Sequence, residues 1–387
     1  MCVFRFFRFW VIFFRFALYF FIKMFYNISI MYFSGFRGAL VWAFEFYPCG
    51  LGAFMRKELF GIMPSGAEVY LYSLRSEVAE VKIMNKGGIV QSFVAFGTDV
   101  LGGFDTLEAY LADDSHQGGI IGRVANRVGG AEFTMDGAMY MLPDNDNGNC
   151  LHGGAGFDTR MWNVKVHTEE KLVLEYYSED GEEGFPAGLH CEVTYELSAA
   201  ALKIKYRATP EGKTPIALTN HAYFNLDGFG KTIATHKAKI YADRYTEVDE
   251  NLIPNGERPD LRGTVFDFTE MTPILERCGG DFVGYDHNFI LAPSVFRGFD
   301  GIKTHLAATV EGERLALDVY TDQEGVQFYI GNFLGNGPDF KGGIKQVQHG
   351  AFCLETQTEP NCIKSGKAIY DAGDVYTHIC VYEIRKI

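Results

Sequence analysis

An all-β fold, a large antiparallel β-sandwich, is the architecture that the 387-residue chain predicts, and three observations carry the prediction. From residue 55 onward apolar and polar residues alternate with a period of two, the mark of strands with one wet and one buried face. Glycine is frequent, 44 residues in all, and punctuates short runs. No sustained helical period interrupts the pattern, and no internal repeat or Pro-rich or Ser-rich linker divides it, so one large domain is expected.

The elements follow in order. Segment 104–112 is expected to give a short helix. Phe133–Leu142 reads as a hairpin, because Asp136-Gly137 supplies the positive φ angles of a tight turn. Residues 172–177 lead into a meander. In 190–197, Cys191, Val193, Tyr195 and Leu197 alternate with His190, Glu192, Thr194 and Glu196; in 202–207, Leu202, Ile204 and Tyr206 alternate with Lys203, Lys205 and Arg207. Only residues 198–201 separate the two, so they should pair. Later strand candidates are 237–242, 314–320, 326–333, 351–357 and 378–384.

Apolar residues make up 47% and charged residues 22%, ordinary values for a soluble globular protein. The net charge of −14 argues against nucleic acid or an anionic membrane as the main partner. None of the eight cysteines forms a C-x-x-C pair, and several lie in apolar, strand-like segments. Reduced, mostly buried thiols in a cytoplasmic protein are therefore expected rather than a disulfide framework.

Residues 1–54 differ from the rest: they hold 15 of the 34 phenylalanines, and Arg5, Arg8, Arg15, Lys23 and Arg37 against Glu45 alone give a net of +4. Three readings compete for this hydrophobic extension. A spanning helix needs roughly 20 apolar residues, but Arg15 and Lys23 interrupt the stretch. A secretory signal would need an apolar core followed by a small-residue cleavage site, which is not apparent. The third reading is a mis-assigned start, since Met55-Arg-Lys-Glu-Leu-Phe-Gly reads as a fresh beginning. Membrane association is expected only if the extension is a genuine anchor; 55–387 is the functional domain.

Four polar clusters sit where strand patterning would not put them. In GGIIGRVANRVGG (118–130), glycines bracket Arg123, Asn126 and Arg127. No strand before and helix after it suit a dinucleotide turn, and the planar donors of Asn126 and Arg127 suit hydroxyl groups. The bland alternative is an arginine pair tying loops to backbone carbonyls. In NCLHGG, two glycines after His152 permit close approach of a ligand or of another backbone segment. In TNHAYFNL, His221 is flanked by amides and rings fit to bond and stack on a sugar, or is a buried core histidine. In FCLETQTEP, Glu355 alternates with Leu354 and so faces either solvent or a site; with few waters around it, it would be a better base at neutral pH. GYDHNF, with Asp286, and GVQFYIGNF, with Gln327, each read alone as an ordinary turn or strand. No nucleophile elbow and no metal-ligand spacing are present.

Taken together and in this order, GRVANR, LHGG followed by GFD and Trp162, NHAYFNL, YDHNF, GVQFYIGN and LETQ-x-x-P resemble the aldose 1-epimerase (galactose mutarotase) family, from about residue 57 to the C-terminus. The resemblance implies a β-sandwich of the galactose-mutarotase type, no obligatory metal or organic cofactor, and a free aldose such as galactose or glucose as the small-molecule substrate. It implies His221 as catalytic acid, Glu355 as catalytic base, and Asn126, Arg127, His152, Asp286 and Gln327 as sugar-binding residues. It does not divide the acid role between His152 and His221. One departure is visible outside that pair: Asn361-Cys362 stand where the family commonly has Asp-Ala.

The chemistry needs such residues. Opening a cyclic hemiacetal requires a proton on the ring oxygen and loss of one from the anomeric hydroxyl; a protonated His and an ionised Glu fit those roles near neutral pH. The open aldehyde rotates, and reclosure on the other face gives the other anomer. A non-catalytic carbohydrate-binding protein of the same fold is the alternative, but it would not need both His221 and Glu355. A sugar-phosphate epimerase should show extra basic residues, against the acidic balance.

Overall fold

The computed structural model describes residues 56–292 and 295–387. The extension 1–54 expected from the sequence lies outside the described residues. Three antiparallel sheets hold most of the strands. The largest has ten, in the spatial order Asn163–His167, Lys171–Ser178, Leu189–Ser198, Ala201–Pro210, Tyr376–Lys386, Leu315–Thr321, Ile302–Glu311, Lys237–Ile240 and Thr272–Pro273, with Phe296–Phe299 branching from Ile302–Glu311. A five-stranded sheet runs in sequence order from Lys57–Ile62 to Thr98–Asp99. A four-stranded sheet orders Ala242–Tyr245, Asp286–Leu291, Gly325–Tyr329 and Cys353–Gln357.

Alternation decides which face is buried. In Leu189–Ser198 the side chains of Leu189, Cys191, Val193, Tyr195 and Leu197 are buried, while Glu196 turns out to meet Lys171 at 2.8 Å. Burial stabilises the strand more than the ion pair does: each fully buried aliphatic or aromatic side chain contributes about 1.5–3 kcal/mol, against about 0–1 kcal/mol for an exposed pair. Inward side chains of all three sheets, among them Phe93, Val193, Ile204, Val319, Phe289 and Phe328, form one core.

The expected hairpin is Glu132–Met135 with Ala138–Met141, turning through Asp136 (φ 52°) and Gly137 (φ 80°). The expected helix is shorter, Leu107–Ala112, because Thr106 caps it: its Oγ accepts from the Ala109 N–H at 3.2 Å. Segment 237–242 proves to be two elements. Lys237–Ile240 belongs to the ten-stranded sheet and Ala242–Tyr245 to the four-stranded one, so the chain changes sheets at Tyr241. Segment 326–333 stops as a strand at Tyr329, where Gly331 (φ 67°) turns it away. Cys150, Cys191, Cys353, Cys362 and Cys380 are buried and free, and Cys278 is partly buried and free. Among the described residues no helix is long and apolar enough to cross a membrane.

Candidate active site

Two short ladders assemble the site from loops distant in sequence. Ile120–Ile121 pairs with Thr219–Asn220, which joins the GRVANR run to the segment of His221. Arg127–Val128 pairs with Cys150–Leu151, which brings in His152. The four-stranded sheet supplies the opposite wall. Its register places Asn288, Gln327 and Glu355 side by side, and the period of two puts Asp286 on the same polar face, while Phe289, Phe328 and Leu354 take the other face into the core. Glu355 therefore points into the site and not into solvent, and it is only 2% exposed.

These walls enclose a cavity of about 950 Å³, lined among others by Asn126, Arg127, His152, His221, Asp286 and Glu355. Six of the seven expected residues thus converge there. Gln327 stands behind them: its Nε2 donates to Asp286 Oδ1 at 2.8 Å, and its Oε1 is buried without a partner. It reaches the cavity through Asp286.

His221 Nε2 lies 3.7 Å from Glu355 Oε1, and Glu355 Oε2 is buried without a hydrogen bond. The His221 ring stacks on Tyr223 (5.0 Å, 25°), and Cys353 Sγ lies 3.6 Å from its Nδ1. His152 is held by a reciprocal pair: Asn126 N–H donates to His152 Nδ1 at 3.2 Å, and His152 N–H donates to Asn126 O at 3.1 Å. Since Nδ1 accepts, the neutral ring carries its hydrogen on Nε2 and presents a donor. One functional atom each from His152, His221 and Glu355 lie within 4.8 Å of one another, but a ring whose Nε2 bears hydrogen offers a cation no lone pair there.

Local backbone explains the composition of these loops. Asn126 (φ 61°) and His152 (φ 55°) both adopt left-handed conformations, which cost about 1–2 kcal/mol for a non-glycine residue. Gly153 (φ 78°) packs so tightly that a Cβ would stand 2.6 Å from Gly122 O.

The two arginines of the GRVANR run divide the readings that composition left open. Arg123, 2% exposed, is a structural tie: its Nη1 donates to Pro186 O and Ala187 O at 2.8 Å each, and its Nη2 to Ser178 Oγ at 2.6 Å. Arg127 faces the cavity, with Nε donating to Asp146 Oδ2 at 2.7 Å and Nη1 3.7 Å from Asp286 Oδ2. The Asn361 departure is not remote from this. Its N–H donates to Arg127 O at 2.9 Å, and its Oδ1 accepts from Gly129 N–H at 3.0 Å, so it pins the loop that bears Arg127.

Protonation differs from expectation. Burial, then the charge on His116, lowers His221 to about 3, which favours the neutral imidazole. Burial, then the Asp286 carboxylate, pushes Glu355 well above the usual carboxylate range despite Arg127. Burial, then the positive charge of His116 and, behind it, of Arg127, hold His152 well below the usual imidazole value. Burial thus disfavours the charged form of each group and works against a resting ion pair at the 3.7 Å separation.

Sequence reasoning missed Tyr329 and Asp146 on the cavity wall, and above all His116, whose Nδ1 bonds Asp158 Oδ2 at 2.8 Å. A lone histidine in the polar run DDSHQ carries no local signal of its neighbours.

Comparison with known proteins bears on the family and the fold. The profile of the Aldose 1-epimerase family matches residues 70–383. Galactose mutarotase of Sus scrofa is 38% identical over 334 residues, covering 83% of this chain and 96% of that protein. Aldose 1-epimerase of Escherichia coli (strain K12) is 35% identical over 320 residues, covering 79% and 91%. The crystal structure of galactose 1-epimerase from Lactobacillus acidophilus NCFM shares the fold, with a TM-score of 0.75 at 23% identity over 86% of this chain and 99% of that one. By its polar-faced sheet, its loop motifs and its likeness to these proteins over most of its length, the chain belongs to the aldose 1-epimerase family.

Proposed function

We propose that the chain interconverts the α and β anomers of a free aldose such as galactose or glucose, with His221 as acid and Glu355 as base. The observation that carries this reading is the 3.7 Å separation of the buried His221 Nε2 and Glu355 Oε1 on one cavity, a spacing that suits two oxygens bonded to a single carbon. The ion pair and the two neutral groups hold the same number of protons. From the ion pair, Glu355 takes the anomeric hydroxyl proton, His221 protonates the ring oxygen, the C1–O5 bond breaks, and both groups end neutral. From the neutral pair, closure reverses each transfer on whichever face of the rotated aldehyde is presented. Burial favours the neutral pair and so stabilises the open-chain end of the step. A site that shares one proton in this way stops when a second proton is bound or when none is.

His152, with its hydrogen on Nε2, donates to a sugar oxygen without changing charge, which leaves the proton transfer to His221. Asn126, Arg127 and Asp286 orient the ring through its hydroxyls, and Gln327 steadies Asp286. The reaction uses no cofactor. Free cysteines facing the core support a cytoplasmic location, which fractionation of cells carrying the full chain checks. Polarimetry of freshly dissolved α-galactose and α-glucose with the purified full-length chain tests the function. Accelerated decay of rotation is expected; no acceleration for any free aldose returns the chain to the non-catalytic carbohydrate-binding reading.

A further inference from the structure

We propose that His116 and Asp158 form a charge-bearing dyad that acts on the reaction through His152 and His221, which makes His116 a positioning residue of this site. The inference rests on the assignment of His221 and Glu355 above.

The dyad is built and not incidental. His116 lies on the cavity wall with its side chain 19% exposed, and Nδ1 is 2.8 Å from Asp158 Oδ2. Its ring centroid is 4.7 Å from that of His152 and 6.1 Å from that of His221. Backbone bonds stitch its loop to the segment of His221: Gly118 N–H donates to His221 O at 2.9 Å, and His221 N–H donates to Gly119 O at 3.1 Å. Asp158 is equally fixed. A Cβ on Gly119 would stand 2.6 Å from Asp158 Cβ, a Cβ on Gly87 would stand 2.0 Å from Asp158 O, and the buried Lys86 Nζ donates to that same carbonyl at 3.1 Å. The backbone that carries each partner is thereby held in place.

The groups facing His116 are Asp158 from the turn Phe157–Thr159, Asp113 and Asp114 from its own loop, and His152 and His221 across the cavity, with Lys86 behind Asp158. Burial opposes charge on His116, but the hydrogen bond and charge of Asp158, aided by Asp113 and Asp114, outweigh it and raise its pKa. Burial likewise opposes charge on Asp158, and His116 and Lys86 overcome it. A charge on His116 stands beside the two imidazoles and keeps further protons off them, since like charges this close repel. His221 then stays free to exchange its single proton with Glu355.

Histidine nitrogen NMR of the full chain, with pH–rate profiles for anomer exchange, tests this on wild type, His116→Gln and Asp158→Asn. The His116 ring is expected to hold its proton to higher pH in wild type than in D158N, and its signal is absent from H116Q. H116Q leaves an anion beside His221, so the acid limb of kcat/KM should move up by about one pH unit, tenfold in proton concentration, or more. D158N leaves His116 charged at low pH without its counter-charge, so that limb should move down. A merely structural role would lower rates in both variants and shift neither limb in opposite directions. A neutral His116 in the wild type, or limbs that stay in place, overturns the proposal. Should H116Q not fold, the wild-type and D158N spectra still decide the charge. Absence of wild-type mutarotation would defeat the assignment of function and leave those spectra to judge the dyad alone.

Discussion

Replacing Glu355 by Gln separates two consequences of one buried carboxyl. The group is 2% exposed and has an unpartnered Oε2, and its pKa is raised, first by burial and then by Asp286. Gln keeps the shape and removes the titration. Loss of a positioned proton-transfer group costs about 100- to 10,000-fold in rate, or about 3–5 kcal/mol in the barrier. Stability should move the other way with pH. Above pH 4.5, the unfolded carboxyl is ionised while the folded one keeps its proton, so the unfolded state binds fewer protons and wild-type stability falls as pH rises, until the folded pKa is passed. The slope is about 1.4 kcal/mol per pH unit. With an unfolding entropy of about 2 cal/mol/K per residue over roughly 330 residues, this corresponds to about 2 °C in Tm per unit. E355Q lacks this dependence. Its Tm relative to wild type should therefore climb with pH from 4.5 and level off at the folded pKa, while polarimetry shows at least a 100-fold slower exchange. Turnover within tenfold of wild type would remove Glu355 as the base, and a Tm difference that stays flat across pH 4.5 to 8 would refute the raised pKa.

Other substitutions should act through different interactions. His221→Asn should lower turnover at least 100-fold with an unchanged circular dichroism spectrum. Gln327→Leu should leave Asp286 without its donor and raise KM more than it lowers kcat, read from initial rates over a range of galactose concentrations. Arg123→Met strands the buried acceptors Pro186 O, Ala187 O and Ser178 Oγ and should cost about 3–5 kcal/mol in denaturant unfolding, since several hydrogen bonds to a buried charge go at once. Burial lowers His236 to about 4, so the unfolded state binds the extra proton between pH 6.5 and 4; this histidine should withdraw about 3 kcal/mol of stability as pH falls through that window, and His236→Gln should flatten the loss in urea titrations at pH 7 and pH 4.5.

Strand positions were legible because alternation is a local property. Cys191, Val193, Tyr195 and Leu197 announce their buried face without reference to any other segment, and Asp136-Gly137 announces its turn. Where a strand ends was less legible: 237–242 reads as one element, yet Ile240 and Ala242 serve different sheets. Of the candidate site, the residues carried by the family's motifs were readable, whereas the alternation of Glu355 with Leu354 left solvent and site both open. The fate of Arg123 and Arg127 was not, since two like side chains four residues apart differ only in which loops close over them.

The sequence by itself determined the all-β class, the place of several strands and the family, because side-chain period, turn chemistry and motif order are written along the chain. The tertiary structure alone decided that His116 lines the cavity bonded to Asp158, that Gln327 stands behind Asp286, and that burial disfavours charge on His221 and Glu355. Desolvation and Coulomb energies depend on distances between residues far apart in sequence, and no local pattern records those distances.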